Sequence, residues 1–210
     1  MNPITSLTSR SLSLLDAGSA ASAMPAVSAV ARLCAALDAA FDACADEHDP
    51  SLHASFARGV RAALAEAAAD PSLLTHDQRE GAAACYRRHL LAADPHGRYA
   101  IAALVWMPGQ ASPVHAHHTW CGYAVIDGML TETVYDWNAD IDCAASVREQ
   151  AREPGAVSFV RAGRKGIHRL GNSSHAGAVS LHIYGVPGEQ IATHVNDIVR
   201  VAGSAPALPA

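Results

Sequence analysis

The sequence predicts a mainly β fold, a small barrel or sandwich, with an α-helical segment in front of it. Three observations point there. From Tyr99 onward, short runs of strand-forming residues alternate with Gly, Asn, Asp and Pro turn signals, the pattern of a closed or double-layered sheet. Before that, apolar residues recur at helical spacing and alanine is abundant, which favours helix. Near the middle, His115 and His117 stand two apart at the start of an apolar run, framed by Gly109, Pro113 and Gly128. On an extended backbone such a pair points to one side.

Composition bounds the rest. A chain of 210 residues, half of them hydrophobic, can bury a sizeable core as one domain. The expected layout is a mobile tail over residues 1–24, one domain over 25–200 (helices 25–80, β-barrel about 84–190), and a frayed tail over 201–210. A formal net charge of -5 with no dense Lys/Arg face argues against nucleic acid as a partner. No apolar run reaches the length of a membrane span. The five cysteines, Cys34, Cys44, Cys85, Cys121 and Cys143, are scattered and odd in number, which suits reduced thiols in a cytoplasmic protein. Asp16 interrupts the only apolar run near the start, and Arg10 is the only basic residue before it, so no targeting segment is read there. Nothing in the sequence sets an oligomeric state.

The first helix is expected over Val27–Ala45, with Val30, Leu33, Leu37, Phe41 and Cys44 on one stripe. The second is expected over Ser51–Ala69, with Phe56, Val60, Ala63 and Leu64 inward and Asp70-Pro71 as its stop. Both are assigned a packing role, with Cys34 and Cys44 in the core. Tyr86–Leu91 is ambiguous between helix and strand. Tyr99–Trp106 is a near-continuous apolar run and reads as a buried strand. Further strands are expected at Cys121–Ile126, Leu130–Tyr135, Ser146–Glu149, Ala156–Val160, Gly166–Leu170 and Val179–Tyr184.

Two later stretches add to the histidine pair. His168 lies in Gly166-Ile167-His168-Arg169-Leu170, where the glycine permits close backbone approach. In Val179–Tyr184, Ser180, His182 and Tyr184 alternate with Val179, Leu181 and Ile183, so one face of the strand is polar. Either that face points to water, or it forms a line of hydrogen bonds from Ser180 through His182 to Tyr184. The chain has twelve histidines, so several carry no chemistry. His48, His53, His76 and His96 are expected at the surface, and His118 points away from the pair.

The frame Gly109, His115-x-His117, Gly128 resembles the first motif of the cupin superfamily. One position departs from it: Cys121 stands where most cupins place a metal-binding Glu. Together P-V-H-A-H, G-I-H-R-L-G-N and V-S-L-H-I-Y-G, in that order, resemble the cysteine dioxygenase family of thiol dioxygenases, from about Tyr86 to Gly185. The resemblance implies that His115, His117 and His168 ligate iron, Fe(II) in the active form. It implies that Ser180, His182 and Tyr184 form the family's Ser-His-Tyr relay. Arg88, in Tyr86-Arg87-Arg88, would bind the substrate carboxylate. Cys121 would fall where animal enzymes carry a cysteine cross-linked to that tyrosine, a possible Cys121–Tyr184 thioether. Counting forward from His117 would put Gly122 there instead; counting back from Gly128 gives Cys121, which is preferred because a loop absorbs a one-residue gap better than a strand.

The implied partners are a small thiol, L-cysteine first, and dioxygen (O2). 3-Mercaptopropionate and mercaptosuccinate are alternative substrates; mercaptopropionate enzymes carry Gln at the position of Arg88. A non-catalytic metal-binding cupin is an alternative from another class, and a zinc hydrolase a further one, since zinc accepts the same three imidazoles.

Overall fold

Ala100–Trp106 reads A-I-A-A-L-V-W, and every one of these residues is buried. A strand with no polar alternation must be covered on both faces, and that requirement shapes the architecture. The computed structural model describes residues 27–203; the tail expected over 1–24 and residues 204–210 lie outside the described residues. Helices α1 (Ala29–Asp42) and α2 (Ala54–Ala69) come first. The strands follow: β1 (Arg87–Ala93), β2 (Ala100–Trp106), β3 (His115–His117), β4 (Cys121–Asp127), β5 (Leu130–Asn138), β6 (Cys143–Arg152), β7 (Val157–Val160), β8 (Gly163–Gly171), β9 (Ala178–Tyr184) and β10 (Asn196–Ile198). They form two five-stranded sheets, ordered β1-β2-β9-β4-β7 and β10-β3-β8-β5-β6, with every strand pair antiparallel. This is the double-stranded arrangement of a cupin.

The helices cover the outer face of the first sheet. Ser28 caps α1, its hydroxyl accepting from the Ala31 amide at 3.1 Å. Leu33 and Leu37 of α1 and Phe56, Val60 and Leu64 of α2 join Ile101, Ala103, Val105, Ala124, Leu181 and Ile183 in one core. At about 25 cal/mol per Å² of apolar area removed from water, such a layer supplies a large share of the folding drive. Gly122 makes the approach possible, since a Cβ there would lie 2.8 Å from Leu64 Cδ1. Cys44 is buried in this layer and Cys34 packs half-buried against it. The turn from β1 to β2 is tied to α1 by Arg98, which bonds both Asp94 and Asp38.

The inner face of the first sheet presents Ala100, Ala102, Leu104, Trp106, Cys121, Tyr123, Val125 and Tyr184 to Leu130 and Leu170 of the second sheet. The β4–β5 turn needs Gly128: its φ is 70° and a Cβ would lie 2.5 Å from the Gly177 carbonyl oxygen.

Tyr86–Leu91 resolves as strand, beginning at Arg87. β6 is ten residues long, well beyond the expected Ser146–Glu149, and is mostly exposed; as an edge strand with polar residues on both faces it lacks the alternation that marks a half-buried strand. Val201, within the expected C-terminal tail, pairs with Ala144 in an isolated parallel bridge.

Candidate metal centre and substrate cavity

β3 has only three residues, His-Ala-His, and all are buried. Its short ladder to β8 sets His115 opposite His168, with an irregularity before His117. Three imidazoles therefore meet between the sheets. One nitrogen from each of His115, His117 and His168 lies within 4.8 Å of the others, and the ring centroids are 4.8–5.1 Å apart.

Their outer nitrogens fix which atoms face the centre. His115 Nδ1 donates to the Pro113 carbonyl at 2.9 Å. His168 Nδ1 donates to Glu132 Oε1 at 2.8 Å. In each neutral ring Nε2 is then a free acceptor. Both ring nitrogens of His117 are buried with no partner, and one such group costs about 1–3 kcal/mol. Burial, with the neighbouring His168 adding to it, pushes the pKa of His115 down to about 4 and that of His117 to about 2. Neutral imidazole is the ligating form, and a cluster of three imidazoles with an orphaned member fits a divalent first-row metal.

The polar face of β9 points inward, not to water: Ser180, His182 and Tyr184 are all buried. Trp106 Nε1 donates to Ser180 Oγ at 2.9 Å. The Ser180 hydroxyl hydrogen is left for His182 Nε2, 2.8 Å away. Burial, and then the charge of Arg88, hold the His182 pKa well below its usual value, so this ring is neutral and accepts. The line stops there. His182 and Tyr184 meet as stacked rings, centroids 5.7 Å apart at 23°, and no hydrogen bond joins them. Residues two apart on a strand stand side by side, which brings ring faces together and carries the phenol past the imidazole.

Arg88 lies half-buried on β1, with its guanidinium carbon 5.9 Å from the centre of the Tyr184 ring. Its Nε is buried without a partner. Arg87 points outward and makes only a loose pair with Glu80 at 3.9 Å. Cys121 is directly opposite Tyr184 in the β4–β9 ladder, and its thiol is pushed up to about 12 by burial, against the pull of Arg88. Cys121 faces the cavity while Gly122 faces α2. Arg88, Cys121, Tyr184, His182 and the three clustered histidines line one cavity. His48, His76, His96 and His118 are exposed, and His53 pairs with Glu47 at 3.0 Å near the surface.

Two site residues escaped the sequence reading. Tyr123 stacks on His182, centroids 5.5 Å apart at 20°, with its hydroxyl buried and unpartnered; its signal was its place two residues after Cys121 on the same strand face. Glu132 is the other. Burial raises its pKa, but bonds from His168 and Gln150 and the charge of Arg152 outweigh that and hold it at about 2. Its signal was a carboxylate in the alternation Leu130-x-Glu132.

The family model for cysteine dioxygenase type I matches residues 82–196. Among solved structures, the chain is similar to the TT1209 protein of Thermus thermophilus, at 20% identity over 54% of this chain and 96% of that one, with a TM-score of 0.42. A Klebsiella pneumoniae protein with a double-stranded β-helix domain is 14% identical over 57% of this chain and 93% of that one, also with a TM-score of 0.42. A cupin 2 conserved barrel domain protein of Salinispora arenicola is 16% identical over 47% and 74%, with a TM-score of 0.37. The family match takes in all three clustered histidines, Arg88 and the Ser180–Tyr184 strand, and spans more than half of the sequence: this chain belongs to the cysteine dioxygenase type I family.

Proposed function

We propose that this protein is an Fe(II)-dependent thiol dioxygenase that converts a small carboxylate-bearing thiol, L-cysteine first, to its sulfinate. The single observation that carries the reading is the pairing of two unmet needs in one cavity. His117 offers buried nitrogens with no partner beside two histidines whose outer nitrogens are engaged, and Arg88 offers a buried N–H with no acceptor.

Fe(II) held by His115, His117 and His168 would supply the one-electron chemistry that dioxygen requires. The residues of the chain do the rest. Three imidazoles bring no negative charge, so a substrate thiolate is drawn to the centre. Arg88 takes the carboxylate in a charge-assisted bond and fixes the distance from carboxylate to sulfur. Tyr184 stands between Arg88 and His182, with its phenol held protonated by burial, and so can donate to substrate or oxygen. Trp106 and Ser180 lock His182, and the His182 ring locks Tyr184 by stacking. Both atoms of dioxygen end on sulfur, and the thiol becomes a sulfinic acid that ionises. Scattered free thiols support a cytoplasmic setting, and no helix among the described residues is long and apolar enough to cross a membrane.

The test is oxygen uptake after anaerobic Fe(II) loading, with L-cysteine, 3-mercaptopropionate, mercaptosuccinate and cysteamine, and products identified by mass. Stoichiometric uptake with L-cysteine and formation of its sulfinate is the expected result. Full iron occupancy with no uptake from any carboxylate-bearing thiol would overturn the reading.

A further inference from the structure

The three clustered histidines are not equivalent. The outer nitrogen of His115 meets a neutral carbonyl, His117 has no partner, and His168 meets a carboxylate. Glu132, which provides that carboxylate, is 6% exposed. Burying an ionised carboxylate is expensive unless each oxygen is held, and here each is. Oε1 accepts from His168 at 2.8 Å and Oε2 from Gln150 Nε2 at 2.7 Å. Arg152 Nε stands 3.6 Å from Oε2. β5 lies between β6 and β8, and Gln150 is the direct cross-strand neighbour of Glu132. The carboxylate is thus clamped from the outer strand and aimed at the inner one.

We infer that Glu132 is a positioning residue for the metal centre, passing its negative charge through His168 to a cluster of three imidazoles that carries none. The inference rests on the three-histidine metal reading above. An imidazole whose Nδ1–H is bonded to a carboxylate is a stronger donor at Nε2, and its ring cannot rotate away. The added negative charge favours the higher oxidation state of a bound metal. Arg152 tempers that effect. Its guanidinium carbon also lies 5.3 Å from the centre of the Tyr123 ring, and Tyr123 stacks on His182, so one cation touches the shells of both His168 and the β9 strand.

The experiment uses the full chain with Glu132→Gln, Glu132→Ala and Gln150→Leu. Glu132→Gln keeps an acceptor for His168 and removes the charge; Glu132→Ala removes both; Gln150→Leu removes the hydrogen bond to Oε2 and leaves Glu132 in place beside Arg152. Affinities for Fe(II) and Co(II) are measured anaerobically against a competing chelator, with the Co(II) visible spectrum and the midpoint potential of the iron form. Thermal melting of the metal-free variants checks folding. The expected outcome is a loss of roughly 10–100-fold in metal affinity for Glu132→Gln, at least as much for Glu132→Ala, a smaller loss for Gln150→Leu, and a higher potential in the charge-removed variants. A folded Glu132→Gln protein with unchanged affinity, spectrum and potential overturns the inference and leaves the three-histidine reading standing. Wild-type protein that binds neither metal overturns that reading, and the inference with it. If Glu132→Gln fails to fold, Gln150→Leu decides: an unchanged affinity and Co(II) spectrum in that variant overturns the proposal.

Discussion

Cys121 and Tyr184 are direct partners across the β4–β9 ladder, both buried and both facing the metal cavity. Side chains opposite one another in antiparallel strands have their Cβ atoms about 5 Å apart, close enough for the thiol to reach the edge of the phenol ring. We expect part of the population to form a thioether during turnover with Fe(II). The S–H and one aromatic C–H are lost, a C–S bond forms, and the two electrons and two protons pass to dioxygen. Intact mass should show the loss of two hydrogens in wild-type protein after turnover and none in Cys121→Ala. An identical mass deficit in Cys121→Ala would sink the idea.

His117→Ala should abolish metal binding or leave it far below stoichiometric. Of the three histidines it has the most unmet hydrogen-bonding capacity, so it gains most from a ligated ion. Metal analysis of protein loaded anaerobically reads the result. Full occupancy with retained activity would remove His117 from the ligand set.

Arg88→Gln should weaken use of L-cysteine and hardly affect cysteamine, which lacks the carboxylate. A hydrogen bond to a charged group is worth about 1.5–3 kcal/mol, so kcat/KM for L-cysteine should fall roughly ten- to a hundredfold. The loss should appear mainly in KM. Equal losses for both thiols would mean that Arg88 supports the cavity without touching the carboxylate.

Asp94 gives an acid-side prediction away from the cavity. Its carboxylate accepts from Arg98 Nε at 2.8 Å and from the Arg98 amide at 2.9 Å. Those bonds, against the opposing effect of burial, lower its pKa from 3.8 to about 2. The folded value lies below the unfolded one, so this stabilisation is complete above about pH 4 and disappears as the pH falls through about 2. Asp94→Asn should cost about 1–3 kcal/mol at neutral pH and flatten that part of the stability profile. Denaturant titrations at neutral and low pH would check it; parallel curves for the two proteins would refute it.

How much was legible in the sequence differs by residue. Leu33, Leu37, Phe56, Val60 and Leu64 announced their faces through helical spacing, because helices on a sheet bury one stripe. β2 announced itself through a run with no polar break. His115, His117 and His168 were individually weak and became readable only in order, through resemblance. Glu132 was hard to single out for a physical reason: it is one acid among twenty Asp and Glu, and the alternation Leu130-x-Glu132 turns it inward without showing that it meets His168 on the neighbouring strand. The short strands β3 and β10 have three residues each, too few for a period to show. The hydrogen-bond line expected to run on to Tyr184 ends at His182, because residue types give the order of groups along a strand and not the angle between their rings.

The first sheet is covered by helices on one side and lines the cavity on the other, so β9 has no idle face. Val179, Leu181 and Ile183 anchor the helices while His182 and Tyr184 line the cavity, with Ser180 bonded behind His182. A single inserted or deleted residue within β9 would exchange the two sets, sending histidine and tyrosine under α1 and α2 and leucine and isoleucine toward the histidine cluster. Length variation in this strand is therefore closed to engineering, whereas the β5–β6 turn, exposed from Asn138 to Asp142, lies at the far end of β6 from Gln150 and Arg152 and is where inserted sequence or an affinity handle can be accommodated.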